Sequence, residues 1–270
     1  MSRDDSDSPE DSIISRIDTS VPHSARVWNY CAGGTDWYEV DKELVDQLLT
    51  DYPSAAGLAI ASRQFLGRAV RYLVREAGIR QFLDIGTGLP TADNTHQVAQ
   101  RHAPDARIVY VDNDPLVLLH AEALLTSTPE GRTVYIEADV RDPEAVLRSA
   151  RETLDFDQPI ALMLLSMLGH IKPEPAAELV RQYMDQLPSG SYLVTCDSID
   201  SPTMVELNVH YAASGAAPYY VRSRDELAAT AAGLEILPPG VGPIPDWHPD
   251  TAAPAPPDQM DQWGLVARKP

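Results

Sequence analysis

Between residues 81 and 195, five short apolar runs alternate with helical stretches, and this alternation constrains the fold more than any other feature of the chain. The runs at 81–85, 107–111, 133–137, 160–165 and 191–195 read as strands. The segments 91–101, 115–125, 143–150 and 176–187 between them read as helices. The last of these places Ala176, Leu179, Val180, Tyr183, Met184 and Leu187 on one face. Strands that alternate with helices build βαβ units around a parallel sheet covered on both sides. Downstream come helices at 202–213 and 224–232, a strand at 234–237, a Pro-rich stretch at 238–257 and a closing strand at 263–267. Five parallel strands followed by a hairpin predict an α/β fold: a doubly wound, seven-stranded, mostly parallel, Rossmann-like sheet. Upstream, residues 1–18 are polar and acidic and predict a disordered tail. Residues 19–77 read as a helical extension, in which 62–77 carries Leu66, Ala69, Val70, Leu73, Val74 and Ala77 at helical spacing and stops at Gly78. Residues 78–270 form the sheet domain.

Chemistry concentrates where the strands end. Phe82-Leu83-Asp84-Ile85-Gly86-Thr87-Gly88-Leu89-Pro90-Thr91 is a strand, a glycine turn and a helix start. Backbone N–H groups can approach a ligand closely there, although glycines also close turns for purely steric reasons. The third glycine of a dinucleotide fingerprint is Thr91 here, and Asp84 would repel a pyrophosphate. A carboxylate at that point suits an ammonium group instead. The second and third strands lead into Asp112-Asn113-Asp114-Pro115 and Asp139-Val140-Arg141-Asp142-Pro143. Asp directly before Pro is the expected helix N-cap, which gives Asp114 and Asp142 a structural task. Asp112 and Asp139 are left either as solvated loop residues or as acceptors for ribose hydroxyls and an adenine amine. Asp84, Gly86, Thr87, Gly88, Asp112, Asn113, Asp139, Val140 and Ser166 form the candidate binding set, all at carboxyl ends of strands.

The net charge of −19 disfavours a nucleic-acid partner and suits a cationic ligand. The longest apolar run, 160–168, falls short of the ~20 residues a membrane helix needs. The N-terminus lacks the basic-then-apolar order of a signal peptide, and Cys31 and Cys196 form no CxxC pair. A cytoplasmic protein with reduced thiols is expected. His23, His96, His102, His120, His210 and His248 show no metal-ligand spacing, so no metal is expected.

From about Pro22 to Lys269 the chain resembles a family of S-adenosylmethionine-dependent methyltransferases formerly known only as a domain of unknown function. The resemblance rests on Ala25-Arg26-Val27-Trp28-Asn29-Tyr30 with Gly33-Gly34 and Asp36, and on Phe65-Leu66-Gly67-Arg68-Ala69-Val70-Arg71-Tyr72. It continues through 79–91 to Asn94-Thr95-His96, through Val109-Tyr110-Val111-Asp112-Asn113-Asp114-Pro115, and ends on Trp263-Gly264-Leu265-Val266-Ala267-Arg268-Lys269-Pro270. It implies the class I methyltransferase fold and S-adenosyl-L-methionine as cofactor, with S-adenosyl-L-homocysteine as product, and it names no substrate. The chain departs from the family pattern at Cys31-Ala32 and Thr35, and at Cys196-Asp197, where the family often has Ser-His.

Methyl transfer is an in-line displacement in which positioning can supply most of the rate, so no acid–base pair is obligatory. Candidate bases are His170, after the fourth strand, and Asp197, after the fifth. In the extension, Arg26, Asn29, Tyr30, Gly34 and Asp36 are candidates for a lid or substrate wall, against the alternative that the aromatics there merely anchor it. A small-molecule methyltransferase is the leading expectation. A non-catalytic binding or regulatory protein is the alternative, with an NAD(P)-dependent oxidoreductase behind both. The methylated atom and the oligomeric state are left open.

Overall fold

The computed structural model describes residues 13–124, 126–250 and 260–270. Its sheet contains β1 (Gln81–Ile85), β2 (Arg107–Asp112), β3 (Arg132–Glu137), β4 (Ala161–Leu165), β5 (Tyr192–Ser198), β6 (Glu235–Ile236), β7 (Gly242–Pro243) and β8 (Gln262–Arg268). The order is β3-β2-β1-β4-β5-β8-β6, with the two-residue β7 also paired to β8. Strands β1 to β5 are parallel, and β8 runs antiparallel to β5, β6 and β7. Chain direction across the sheet reverses between β1 and β4, which opens a crevice at their carboxyl ends.

Strand alternation sorts the core into two faces. Phe82, Ile108, Tyr110, Ala161, Met163, Val194 and Val266 pack with α3 (Leu58–Arg75) and α4 (Thr95–His102). Leu83, Ile85, Val109, Val111, Leu162, Leu164, Leu193 and Leu265 pack with α6 (Pro143–Ala150) and α7 (Pro173–Asp185). The remaining helices are α1 (Ser24–Cys31), α2 (Glu39–Asp51), α5 (Pro115–Leu124), α8 (Pro202–Ala213) and α9 (Arg224–Ala229).

The tail forecast for 1–18 lies partly outside the described residues, but 13–17 form a turn, with Arg16 paired to Glu137 at the end of β3. Part of the helical extension at 19–77 packs on the sheet. Phe65, Ala69, Val70 and Leu73 of α3 are fully buried against the sheet, so this helix is one of its covering layers. Only the part before α3 stands outside the layers.

That outer part is fastened by a buried charge pair. Arg26 Nε lies 2.9 Å from Asp41 Oδ2, with both side chains almost wholly buried. The other guanidinium nitrogens donate to the carbonyls of Asp18 at 2.9 Å and Val21 at 2.6 Å. Asp41 also accepts the backbone N–H groups of His23 and Tyr38, both at 2.9 Å. Removing one member of such a pair strands a charge in the interior. Asp41→Ala is therefore expected to cost about 3–5 kcal/mol in urea unfolding. Asp46→Ala, which removes an exposed partner of Lys42, is expected to cost less than about 1 kcal/mol. Equal losses in the two variants would refute this account of the extension.

Candidate functional site

A cavity of about 440 Å³ opens over the carboxyl ends of β1 to β4. All nine residues of the candidate binding set line it, joined by Arg63 of α3 and by His23, Trp28 and Asn29 of the extension. Asp84 pairs in register with Tyr110 and Met163, so it shares their face of the sheet and turns toward α3 and α4. There it is buried, and its Oδ2 accepts a 2.6 Å hydrogen bond from Thr95 Oγ1. Burial pushes its pKa up to about 6, against the opposing pull of Thr95 and of the Arg63 guanidinium.

The glycine turn is shaped from both sides. Gly86 has φ +73°, and a side chain on it would collide with Met167. Gly88 has φ +64°, and no atom lies within 4 Å of where its Cβ would stand, so its backbone is open to the cavity. Its N–H donates to Asp112 Oδ2 at 2.8 Å. Asp112 Oδ1 takes the N–H groups of Asn113 at 2.8 Å and Asp114 at 3.1 Å. Asp112 therefore orders the site besides lining it. Asp114 caps α5 through the Leu116 N–H at 2.9 Å, and Asp142 caps α6 through the Ala145 N–H at 3.0 Å, as their position before proline predicts. Asp114 has a second partner that sequence did not announce: His23 Nδ1 stands 2.8 Å from its Oδ2. Burial alone would lower the pKa of His23, but this carboxylate outweighs it and raises it. Asp139 reaches the cavity with its carboxylate held by Arg141, whose Nε lies 2.9 Å away. Ser166 sits at φ +55°, a left-handed conformation rare for a residue with a side chain, and its Oγ accepts from Gln262 Nε2 at 2.7 Å.

The two candidate bases separate. His170 lines the cavity, and its Nδ1 lies 3.2 Å from the Pro218 carbonyl. A carbonyl can only accept, so Nδ1 carries the proton and Nε2 keeps its lone pair in the neutral ring. Burial lowers its pKa and favours that neutral form. Asp197 is a correction. It is fully buried, does not line the cavity, and binds Arg222 Nε at 3.2 Å, Tyr219 Oη at 2.8 Å and the Gly169 N–H at 3.0 Å. It braces the turn that carries His170.

Among the wall candidates of the extension only Asn29 lines the cavity. It is buried, its Oδ1 accepts from the Asp36 N–H at 2.9 Å, and its Nδ2 has no partner among the described residues. Arg26 is committed to Asp41, and Tyr30 donates to Asp46 at 2.9 Å and meets the Trp37 ring edge-on. Asp36 contacts His120 of α5 at 3.1 Å. Gly34 leaves room for the Asn29 amide, which any side chain there would strike. These four hold the wall up without forming its surface. Arg63 was missed because it falls within a helix read only for its apolar stripe. Its place three residues before Leu66 and seven before Val70, on that stripe, was the available signal.

A family model described as S-adenosyl methyltransferase matches residues 10–270. The chain belongs to that family. It is similar to a DUF574-family protein from Streptomyces avermitilis, with 43% identity and a TM-score of 0.90 over 94% of this chain and 100% of that one. A candidate methyltransferase from Thermobifida fusca is 39% identical, with a TM-score of 0.86 over 93% of this chain and 96% of that one. Mitomycin 7-O-methyltransferase MmcR, at 15% identity and a TM-score of 0.51 over 91% of this chain and 68% of that one, shares the fold alone. No curated protein matches the sequence. The S-adenosyl methyltransferase sheet thus stands as expected, with the small β7 added. Among the described residues no helix is long and apolar enough to cross a membrane.

Asp197→Ala is expected to cost about 3–5 kcal/mol of stability, since it leaves Arg222 charged and buried. Asp114→Ala, which removes a cap, is expected to cost about 0.5–2 kcal/mol. Denaturant unfolding of both variants checks this, and an Asp197→Ala protein of native stability would reopen a catalytic role for that carboxylate.

Proposed function

We propose that the chain binds S-adenosyl-L-methionine and transfers its methyl group to a small molecule, releasing S-adenosyl-L-homocysteine. The observation that carries this reading is the meeting of Asp84, Asp112 and Asp139 with the open Gly88 backbone in one cavity. The residues suit such a cofactor in chemistry: a buried carboxylate for a cation, an open glycine backbone, and an unpartnered buried amide in Asn29. In this reading Asp84 faces the ammonium, Asp112 and Asn113 face the ribose hydroxyls, and Asp139 with the Val140 backbone faces the adenine edge. When bound, the cofactor supplies an electrophilic methyl group on a sulfonium. The protein's share is to align the acceptor and to exclude water. His170 is the group suited to take a proton at Nε2, where the acceptor must lose one. Ser24, Ala25, Trp28 and Asn29, with Ala32 just past its end, give α1 the role of a wall that closes on the bound molecules.

Calorimetry tests the cofactor. S-adenosyl-L-homocysteine is expected to bind and NADH is not. Its affinity should hold above neutral pH and fall by up to about tenfold per pH unit below about pH 6. The sign follows from Asp84: protonation below its raised pKa removes the charge that attracts the ammonium. Asp84→Asn should flatten that profile. Micromolar NADH affinity without a response to S-adenosyl-L-homocysteine would overturn the reading.

Hydrogen exchange tests the wall. Residues 24–31 are expected to gain protection on addition of S-adenosyl-L-homocysteine. Protection confined to the loops after β1, β2 and β3 would show that α1 does not close.

A further inference from the structure

Two imidazole–carboxylate contacts join the outer part of the extension to α5, with the histidine on opposite partners. His23, just before α1, meets Asp114 at the start of α5, Nδ1 to Oδ2 at 2.8 Å. His120, further along α5, meets Asp36 of the extension, Nε2 to Oδ1 at 3.1 Å. A small apolar cluster around Ala25, Leu89, Leu116 and Val117 lies in the same interface.

Both contacts call for a charged ring. His120 Nδ1 lies 3.0 Å from the Leu116 carbonyl, one turn back on its own helix. The ring therefore has an oxygen beside each nitrogen, while a neutral imidazole offers one N–H. Either neutral tautomer turns a lone pair toward an oxygen, and the imidazolium meets both. Asp114 makes the same demand of His23. It is buried, its Oδ1 is taken by the Leu116 N–H, and its Oδ2 has no partner besides His23 among the described residues. The Ala25 N–H approaches the same ring nitrogen at a long 3.4 Å, and the shorter contact with a full charge prevails. Burial and Arg26 oppose a charge on His23, but Asp114, helped by Asp112, outweighs them and raises its pKa.

We propose that His23 and His120 form a proton-dependent clasp between α1 and α5, which lets the cavity wall open more readily as the pH rises through the imidazole range. The sign follows from the protonation state that the contacts hold. A ring that binds its proton more tightly in the closed form stabilises that form below its free pKa. The stabilisation is lost as pH rises through the raised value. The clasp sets how often the wall opens, whatever the cavity binds. While the open form stays minor, a ligand's affinity for the closed cavity is unchanged, and only its passage in and out becomes faster.

Hydrogen exchange on the full chain without ligand reads this at about pH 6 and about pH 8.5, on either side of the imidazole range. Each rate is divided by the intrinsic rate at that pH. Residues 24–31 are expected to lose about tenfold in protection at the higher pH, the scale of one pKa unit in one imidazole. Strand β4 keeps its protection and serves as the internal reference. In the double variant His23→Gln, His120→Gln, protection of 24–31 should be low at both pH values. Asp36→Asn leaves both rings in place and should reduce the response by weakening one contact. Other groups near the wall titrate too: burial pushes Asp84 up to about 6 and lowers His170, and both remain in the double variant. Cys31, at the end of α1, keeps its proton throughout, because burial pushes its thiol up to about 11. Equal protection of 24–31 at both pH values in the wild type overturns the clasp, as does a response of wild-type size in the double variant. If the double variant loses protection in β4 as well, it has misfolded, and Asp36→Asn decides: a response there as large as in the wild type overturns the clasp.

Discussion

The carboxylate of Asp112 ties the glycine turn after β1 to the chain that leaves β2. One oxygen holds the glycine turn through the Gly88 N–H, and the other holds the first two residues after β2. Two residues on, Asp114 caps α5 and contacts His23, the residue that precedes α1. A single line of aspartate contacts thus runs from the turn at the end of β1, across the end of β2, to the extension. Parallel strands place these groups side by side because β1 and β2 are in register from Gln81 and Arg107 onward. Neighbouring strand ends then lie one strand spacing apart. The extension depends on the same line. The Asp114 contact acts beside the Asp36–His120 and Arg16–Glu137 pairs, the packing of Val27 and Trp28 on the main core, and that of Ala25 with Leu89, Leu116 and Val117.

Charge in the cavity is set by burial more than by pairing. Asp84 and Asp112 are both shifted upward, with desolvation the largest cause in each. Burial would raise Asp114 as well, but His23 beside it reverses the direction. A carboxyl whose folded pKa lies above its unfolded value holds its proton more tightly when folded. The folded state then loses stability as pH rises through that window, which for Asp84 ends at about pH 6. At neutral pH the ligand-free protein therefore carries an ionised carboxylate in an unfavourable place. A cation bound beside it relieves that cost, and this is a physical reason for a ligand with a positive charge to be held there.

What the sequence revealed follows from which forces act locally. Strand β1, helix α6 and helix α8 fall at 81–85, 143–150 and 202–213, where periodicity and proline boundaries put them. Helix α4 starts at Thr95 and not at 91 because Asn94 and Gln97 form a capping box that fixes the first turn. Helix α7 starts three residues early because Pro173 is tolerated at its first turn. The aspartates at strand ends were legible because a parallel βαβ sheet forces such ends to one edge. Residues whose task depends on a distant partner were not. Arg26 and Tyr30 have the composition of a binding wall, yet Asp41 and Asp46, fifteen and sixteen residues further on, turn them to structural use. Arg63 looked like an ordinary helix residue because only the tertiary fold shows what lies above α3.

The same dependence explains the departure at the end of β5. Where the resembling family often has Ser-His, this chain has Cys196-Asp197, and the aspartate is buried against Arg222. A buried arginine and a buried aspartate are each unfavourable alone, so the two positions must be read as one unit. Arg222 also donates to the carbonyls of Leu168 and Ile171, and Tyr219 crosses edge-on to His170 at 5.2 Å. The unit therefore fixes both ends of the short turn that carries His170. The Asp197–Arg222 pair thus sets how His170 is presented to the cavity.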